Sequence, residues 1–105
     1  MTTNVVKVIY DGQAEIISRK LTQWDYGQVL LIEGDLPADY VVDFANEGDT
    51  LTRTEPGDPE GVPIPDRLLQ AGRNVLAYVR IFDGTSGNTV CKITIPVERR
   101  AERMD

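Results

Sequence analysis

A chain of 105 residues, 41% hydrophobic and 27% charged, is sized for one domain around one core, and its composition excludes a disordered polypeptide. With 11 basic against 17 acidic residues the net charge is −6, a field that repels phosphate backbones and anionic bilayers, so neither nucleic acid nor a membrane is expected as a partner. Cys91 is the only cysteine, which excludes an internal disulfide and suits assembly in a reducing cytoplasm. Met1 to Asn4 lacks the charged-then-apolar layout of a signal peptide, and no apolar run is long enough to span a bilayer.

Period-two alternation broken by turn residues runs through the chain. Val5 to Tyr10 reads as a first strand, stopped by Asp11-Gly12, and Ala14 to Ser18 as a short second one. Gln28 to Glu33 places Leu30 and Ile32 on one face and ends at Gly34-Asp35. Asp39 to Ala45 sets Tyr40, Val42 and Phe44 opposite Asp43, and after a turn over Asn46 to Asp49 the segment Thr50 to Thr54 can pair back. The stretch Glu55 to Pro65 holds four of the six prolines. Proline has no amide donor, so this stretch must follow an edge or the surface.

Asp66 to Ala71 changes rhythm: Asp66 is placed to cap, Leu68 and Leu69 to point inward and Gly72 to terminate, which predicts one helical turn. Asn74 to Phe82 has Val75, Ala77, Val79 and Ile81 on one face and Leu76, Tyr78 and Phe82 on the other, the pattern of a central strand covered on both sides. Asp83 to Asn88 reads as a hairpin loop. Thr89 to Val97 then points Cys91, Ile93, Ile95 and Val97 inward and Lys92 and Thr94 outward. Glu98 to Asp105 is charged throughout and is expected to be an exposed tail or the start of a linker, leaving residues 1–97 as the domain. The expected fold class is all-β: an immunoglobulin-like antiparallel β-sandwich with one short helical turn, its core built from Leu30, Ile32, Tyr40, Val42, Phe44, Val79, Ile81, Ile93 and Ile95.

The residues for catalysis are missing. There is no histidine to activate Ser18 or Ser86, neither serine sits in a nucleophile-elbow sequence, and Cys91 sits in an alternating strand as a small buried hydrophobe. No enzyme and no cofactor is expected. Glu47, Asp49, Glu55, Asp58 and Glu60 gather near the prolines, but they lack the ligand spacing of a calcium loop and read as solvated charge. Trp24 and Tyr26 flank Asp25 just before a strand. Trp24 is expected to plug one end of the sandwich, and Tyr26, next to Gly27, to face solvent.

Three segments carry a family resemblance: Lys20-Leu21-Thr22-Gln23-Trp24-Asp25-Tyr26-Gly27-Gln28 leading to Gly34-Asp35-Leu36-Pro37; Val62 to Gly72 followed by Leu76-Ala77-Tyr78-Val79; and Lys92-Ile93-Thr94-Ile95-Pro96-Val97. Together, over about residues 5 to 97, they resemble small β-sandwich domains at the N-terminus of phage and prophage structural proteins from Gram-positive hosts, akin to baseplate upper-protein and head-fibre domains. The resemblance implies a virion structural module, assembled in the host cytoplasm, that attaches a fibre, baseplate or capsid decoration to other phage structural proteins, as a homo-oligomer in the particle. It brings no catalytic residues. The alternative is a carbohydrate-binding module that holds a cell-surface glycan with Tyr26 and the acidic loops; a solvent-facing aromatic platform beside polar groups would favour it. The surfaces expected to carry a protein interface are the N-terminal strand and the Trp24 to Gly27 loop, with Val5, Ile9 and Tyr26 as its residues, since only one face of that strand can meet the core.

Because the acidic loops lack a ligand spacing, neither chelator nor submillimolar calcium should move the Tm. A calcium-dependent rise of several degrees in a melting curve would show a site that the spacing does not reveal.

Overall fold

The computed structural model describes residues 4–37, 39–82 and 87–101. It is an all-β sandwich with one short helix, in the order β1 (Val5–Tyr10), β2 (Glu15–Ile17), β3 (Leu21–Thr22), β4 (Val29–Gly34), β5 (Val41–Asn46), β6 (Arg53–Pro56), β7 (Val62–Pro63), α1 (Asp66–Gln70), β8 (Val75–Phe82), β9 (Gly87–Ile95) and β10 (Val97–Glu98). One layer has the strand order β1-β4-β7, the other β2-β9-β8-β5-β6, and β3 pairs with β10 at one end.

Alternation explains the layers. In the smaller sheet Val6, Val8, Leu30, Ile32 and Val62 face inward; in the larger one Val42, Phe44, Val75, Ala77, Val79, Cys91, Ile93 and Ile95 do, and Leu21, Tyr40, Ile64, Leu68 and Leu69 close the ends of the same core. Of the expected core residues only Ile81 is half-buried, packed against the cluster from its rim. The proline-rich stretch lies at edges, as its missing donors require: β6 borders the larger sheet and β7 the smaller one.

The sheets are mixed rather than wholly antiparallel. β1 runs parallel to β4, β2 to β9 and β3 to β10, while the remaining pairings are antiparallel. Alternation fixes which face of a strand is inward and says nothing about the direction of its neighbour, so the sequence pattern could not distinguish the two. β1 and β4 meet closely at Gly34, whose φ is +129 and where a Cβ would sit 1.9 Å from the Tyr10 carbonyl oxygen, so only glycine fits.

β8 is central, between β5 and β9, and its outer face is covered only in part: Leu76 is buried, Tyr78 half-buried and Phe82 exposed. Polar pairings also occupy that face. Asp43 Oδ1 accepts from Thr54 Oγ1 at 2.5 Å and from Arg80 Nη2 at 3.2 Å, and Arg80 Nε lies 2.5 Å from Oδ2 with its N–H turned off the carboxylate. Asp66 does not cap α1. Pro65 holds the cap position without a side-chain bond, and Asp66 Oδ1 accepts instead from the Gly27 N–H at 2.9 Å. Gly72, at φ +68, ends the helix by donating its N–H to the Leu69 carbonyl. Residues 83–86 of the expected hairpin loop lie outside the described residues, and the strands it joins pair from Phe82 and Gly87 inward.

Ile93 is fully buried between β8 and β2. Ile93→Ala should therefore cost about 2–5 kcal/mol in urea melts, the range for large-to-small core changes. A cost under about 0.5 kcal/mol would place it outside the core.

Candidate binding surface

Among the described residues the corner between β3 and β4 is a heavily bonded loop. The Thr22 N–H donates to Asp25 Oδ2 and the Asp25 N–H to the Thr22 carbonyl, which bends residues 22–25 into a tight turn. The bend puts Trp24 at φ +75, a left-handed conformation that costs a bulky residue about 1–2 kcal/mol. The strain is held from outside: the Trp24 indole N–H donates to the Arg100 carbonyl at 2.9 Å. Trp24 is half-buried on this corner and is not among the core side chains, so it is not the end plug its composition suggested.

Gln23 clasps both neighbours. Its backbone N–H donates to the Glu98 carbonyl at 2.8 Å, and its carbonyl accepts from Arg100 Nε at 3.0 Å. Its side-chain Oε1 accepts from the Arg100 N–H at 3.0 Å while Nε2 donates to the Gln70 carbonyl at 2.9 Å. Arg99 Nε adds a bond to the Gly72 carbonyl. Residues 98–101 are exposed, as expected of the closing segment, yet Glu98 pairs with β3 and Arg100 is fastened to the corner; residues 102–105 lie outside the described residues.

The expected interface residues separate into two places. β1 is an edge strand, and alternation turns Val5, Lys7 and Ile9 away from the core. Val5 is half-buried beside its register partner Val29, and Asn4 Nδ2 donates to the Gly27 carbonyl, which brings this end of β1 to the Tyr26 corner. Ile9, 61% exposed, lies four residues on, about 13 Å at the usual rise per residue, beyond the Lys7–Glu33 ion pair. Tyr26 is 79% exposed, as its place next to glycine suggested. Ile17 and Leu51 are also widely exposed. Ile17 was findable: two successive isoleucines in a strand cannot both face the core.

Beside Tyr26 opens a cleft of about 540 Å³ lined by Asn4, Trp24, Asp25, Tyr26, Gln28 and Arg100. Gln28 is buried there, donating through Nε2 to the Tyr26 carbonyl. These residues come from three separate segments, which is why no sequence motif marks them. Two further clefts share Arg53, Pro65 and Arg67. Much of their charge is already used, Arg53 by Glu55 and Arg73 by Asp49, both at 3.1 Å.

The reactive groups are poorly placed for chemistry. Cys91 is buried, and burial first, then the charge of Glu15, pushes its thiol pKa up, away from a nucleophilic thiolate. Ser18 Oγ donates to the Arg19 carbonyl, and Ser86 is outside the described residues. Among the described residues no three acidic or cysteine side chains converge as a metal ion would require. The acidic loop residues are dispersed: Asp58 turns back to the Glu60 N–H, and Asp49 and Glu55 hold arginines. No protein-family model matches the chain, and no curated protein matches it in sequence.

A chain shortened to end at Val97 loses the bonds from Glu98, Arg99 and Arg100. At about 0.5–1 kcal/mol net for each of these five hydrogen bonds, its unfolding free energy should fall by about 2.5–5 kcal/mol. An unchanged urea midpoint would mean the clasp contributes nothing.

Proposed function

We propose that this chain is a non-catalytic binding module of a phage particle, fastening a fibre, baseplate or capsid decoration through protein contacts. The observation that carries the binding role is the surface at the Tyr26 corner and along β1: Tyr26 and Ile9 stand in solvent, with Val5, Val29 and Leu31 half-buried on the same outer sheet face. Tyrosine is among the side chains enriched at the energetic centres of protein interfaces. The particle context is supported by the family resemblance of the three segments around Trp24, Asp66 and Lys92. Copies of the chain associate in the particle through this side-chain face, where high local concentration makes a weak contact sufficient.

A second reading, glycan binding, is favoured by the cleft beside Tyr26. It supplies the aromatic platform with Asn4, Asp25, Gln28 and Arg100 around it, the mixture of stacking surface and polar groups a sugar ring needs.

The two readings separate on paired variants. Val5→Asp with Ile9→Asp should stay folded and lose both self-association and incorporation into particles; assembly equal to the parent's would remove this face as the interface. Tyr26→Ala should alter stability by no more than about 0.5 kcal/mol. If it abolishes saccharide binding in an NMR titration while particle assembly persists, the glycan reading replaces the first.

A further inference from the structure

The edge of β1 is a backbone edge that the fold itself has blocked. In a parallel ladder, alternate residues bond to the neighbour and the residues between them point their N–H and C=O groups the other way. The Val29 N–H donates to the Asn4 carbonyl, so Asn4, Val6, Val8 and Tyr10 bond toward β4. Val5, Lys7 and Ile9 therefore present their backbone groups at the open edge. Two of these three outward carbonyls are occupied by side chains. Arg19 Nη2 donates to the Val5 oxygen at 3.0 Å, and Gln13 Nε2 donates to the Ile9 oxygen at 3.0 Å. Gln13 is itself fixed, its Oε1 accepting from the Asp11 N–H at 2.6 Å.

The two residues reach the edge differently. Gln13 stands in the turn leaving β1, and Arg19 follows β2, a strand of the opposite sheet, so its side chain bridges the open side of the sandwich. Between them, among the described residues, only Lys7 keeps both ladder groups open, and its side chain is charged and paired with Glu33. An incoming strand needs a run of alternating donors and acceptors, and here it would find both flanking acceptors filled.

We infer that Arg19 and Gln13 are edge guards, which keep β1 from pairing through its backbone with the β1 of a second copy. Without them, two β1 edges meet antiparallel about a two-fold axis and merge the three-stranded sheets of two molecules into one continuous sheet. This is independent of the side-chain interface proposed above, which uses the face of the strand and not its edge.

The experiment compares the whole parent chain with Arg19→Met/Gln13→Met, which keeps apolar bulk and removes both donors. In sedimentation equilibrium the folded double variant should dimerise at least about tenfold more tightly than the parent, one factor of ten being about 1.4 kcal/mol. In the dimer the Lys7 amide should become protected from hydrogen exchange. Association no stronger than the parent's overturns the proposal, as does a dimer in which the Lys7 amide still exchanges freely. A measurement on the parent alone decides the matter if the double variant fails to fold: the Lys7 amide should exchange fast while those of Val6 and Val8 exchange slowly. A Lys7 amide as protected as its neighbours would mean the edge is already paired and has no need of guards.

Discussion

The rest of the fold hangs on the parallel pairing of β1 with β4. Parallel neighbours cannot be joined by a hairpin, so the chain between them has to leave the sheet and return. It does so by crossing to the other layer, where β2 lies against β9, and then to the end of the sandwich, where β3 lies against β10, before coming back through the Trp24 corner into β4. That single excursion ties both layers together within the first third of the chain. It delivers Arg19 to the edge of β1 and sets the corner at the end of the sandwich where the closing residues pass. The inward residues Val6, Val8, Leu30 and Ile32 are fully or nearly fully buried, which is what holds the parallel pair against the larger sheet.

The corner has a structural cost that its contacts offset. A tryptophan in a left-handed conformation is unfavourable by itself, and it persists here because its indole N–H, the four bonds of Gln23 and the Asp25 turn all require the same backbone path. Apart from Gln70, its distant partners on this side come from residues 98–100, more than seventy positions away in the chain. Order at the cleft beside Tyr26 is thereby coupled to order in the closing segment, because Arg100 both lines the cleft and fixes the loop beside it.

Surface charge has a different part. The pairs Lys7–Glu33, Lys20–Glu98 and Lys92–Glu15 are all widely exposed, and such pairs contribute about 0–1 kcal/mol each, so they do not hold the layers together. They decorate edges and outer faces, where charge discourages other strands. Asp43 is the exception: it is buried on the outer side of the larger sheet and is acceptable there because Arg80 and Thr54 satisfy it. Through Thr54 it also fastens the edge strand β6 to β5.

The sequence by itself determined where most strands run and which of their faces turn inward. Val5–Tyr10 has the bounds the alternation implies, Pro56 and Pro63 lie in edge strands, where a missing donor is tolerated, and Phe44, Val79, Ile93 and Ile95 are buried where period two places them. Tyr26 and Ile9 were legible as exposed, one from its glycine neighbour and the other from the strand having a single inward face. Only the tertiary structure decided which strands are neighbours and in which direction. Side-chain alternation is a property of one strand, whereas a ladder is chosen by the packing of two layers across long sequence separations. For the same reason the place of Trp24, the clasp on Arg100, the bond from Asp66 to Gly27 and the cleft beside Tyr26 left no local trace. Each joins polar groups far apart in the chain, and a hydrogen bond between distant residues needs only a donor and an acceptor, with no spacing for a sequence pattern to reveal.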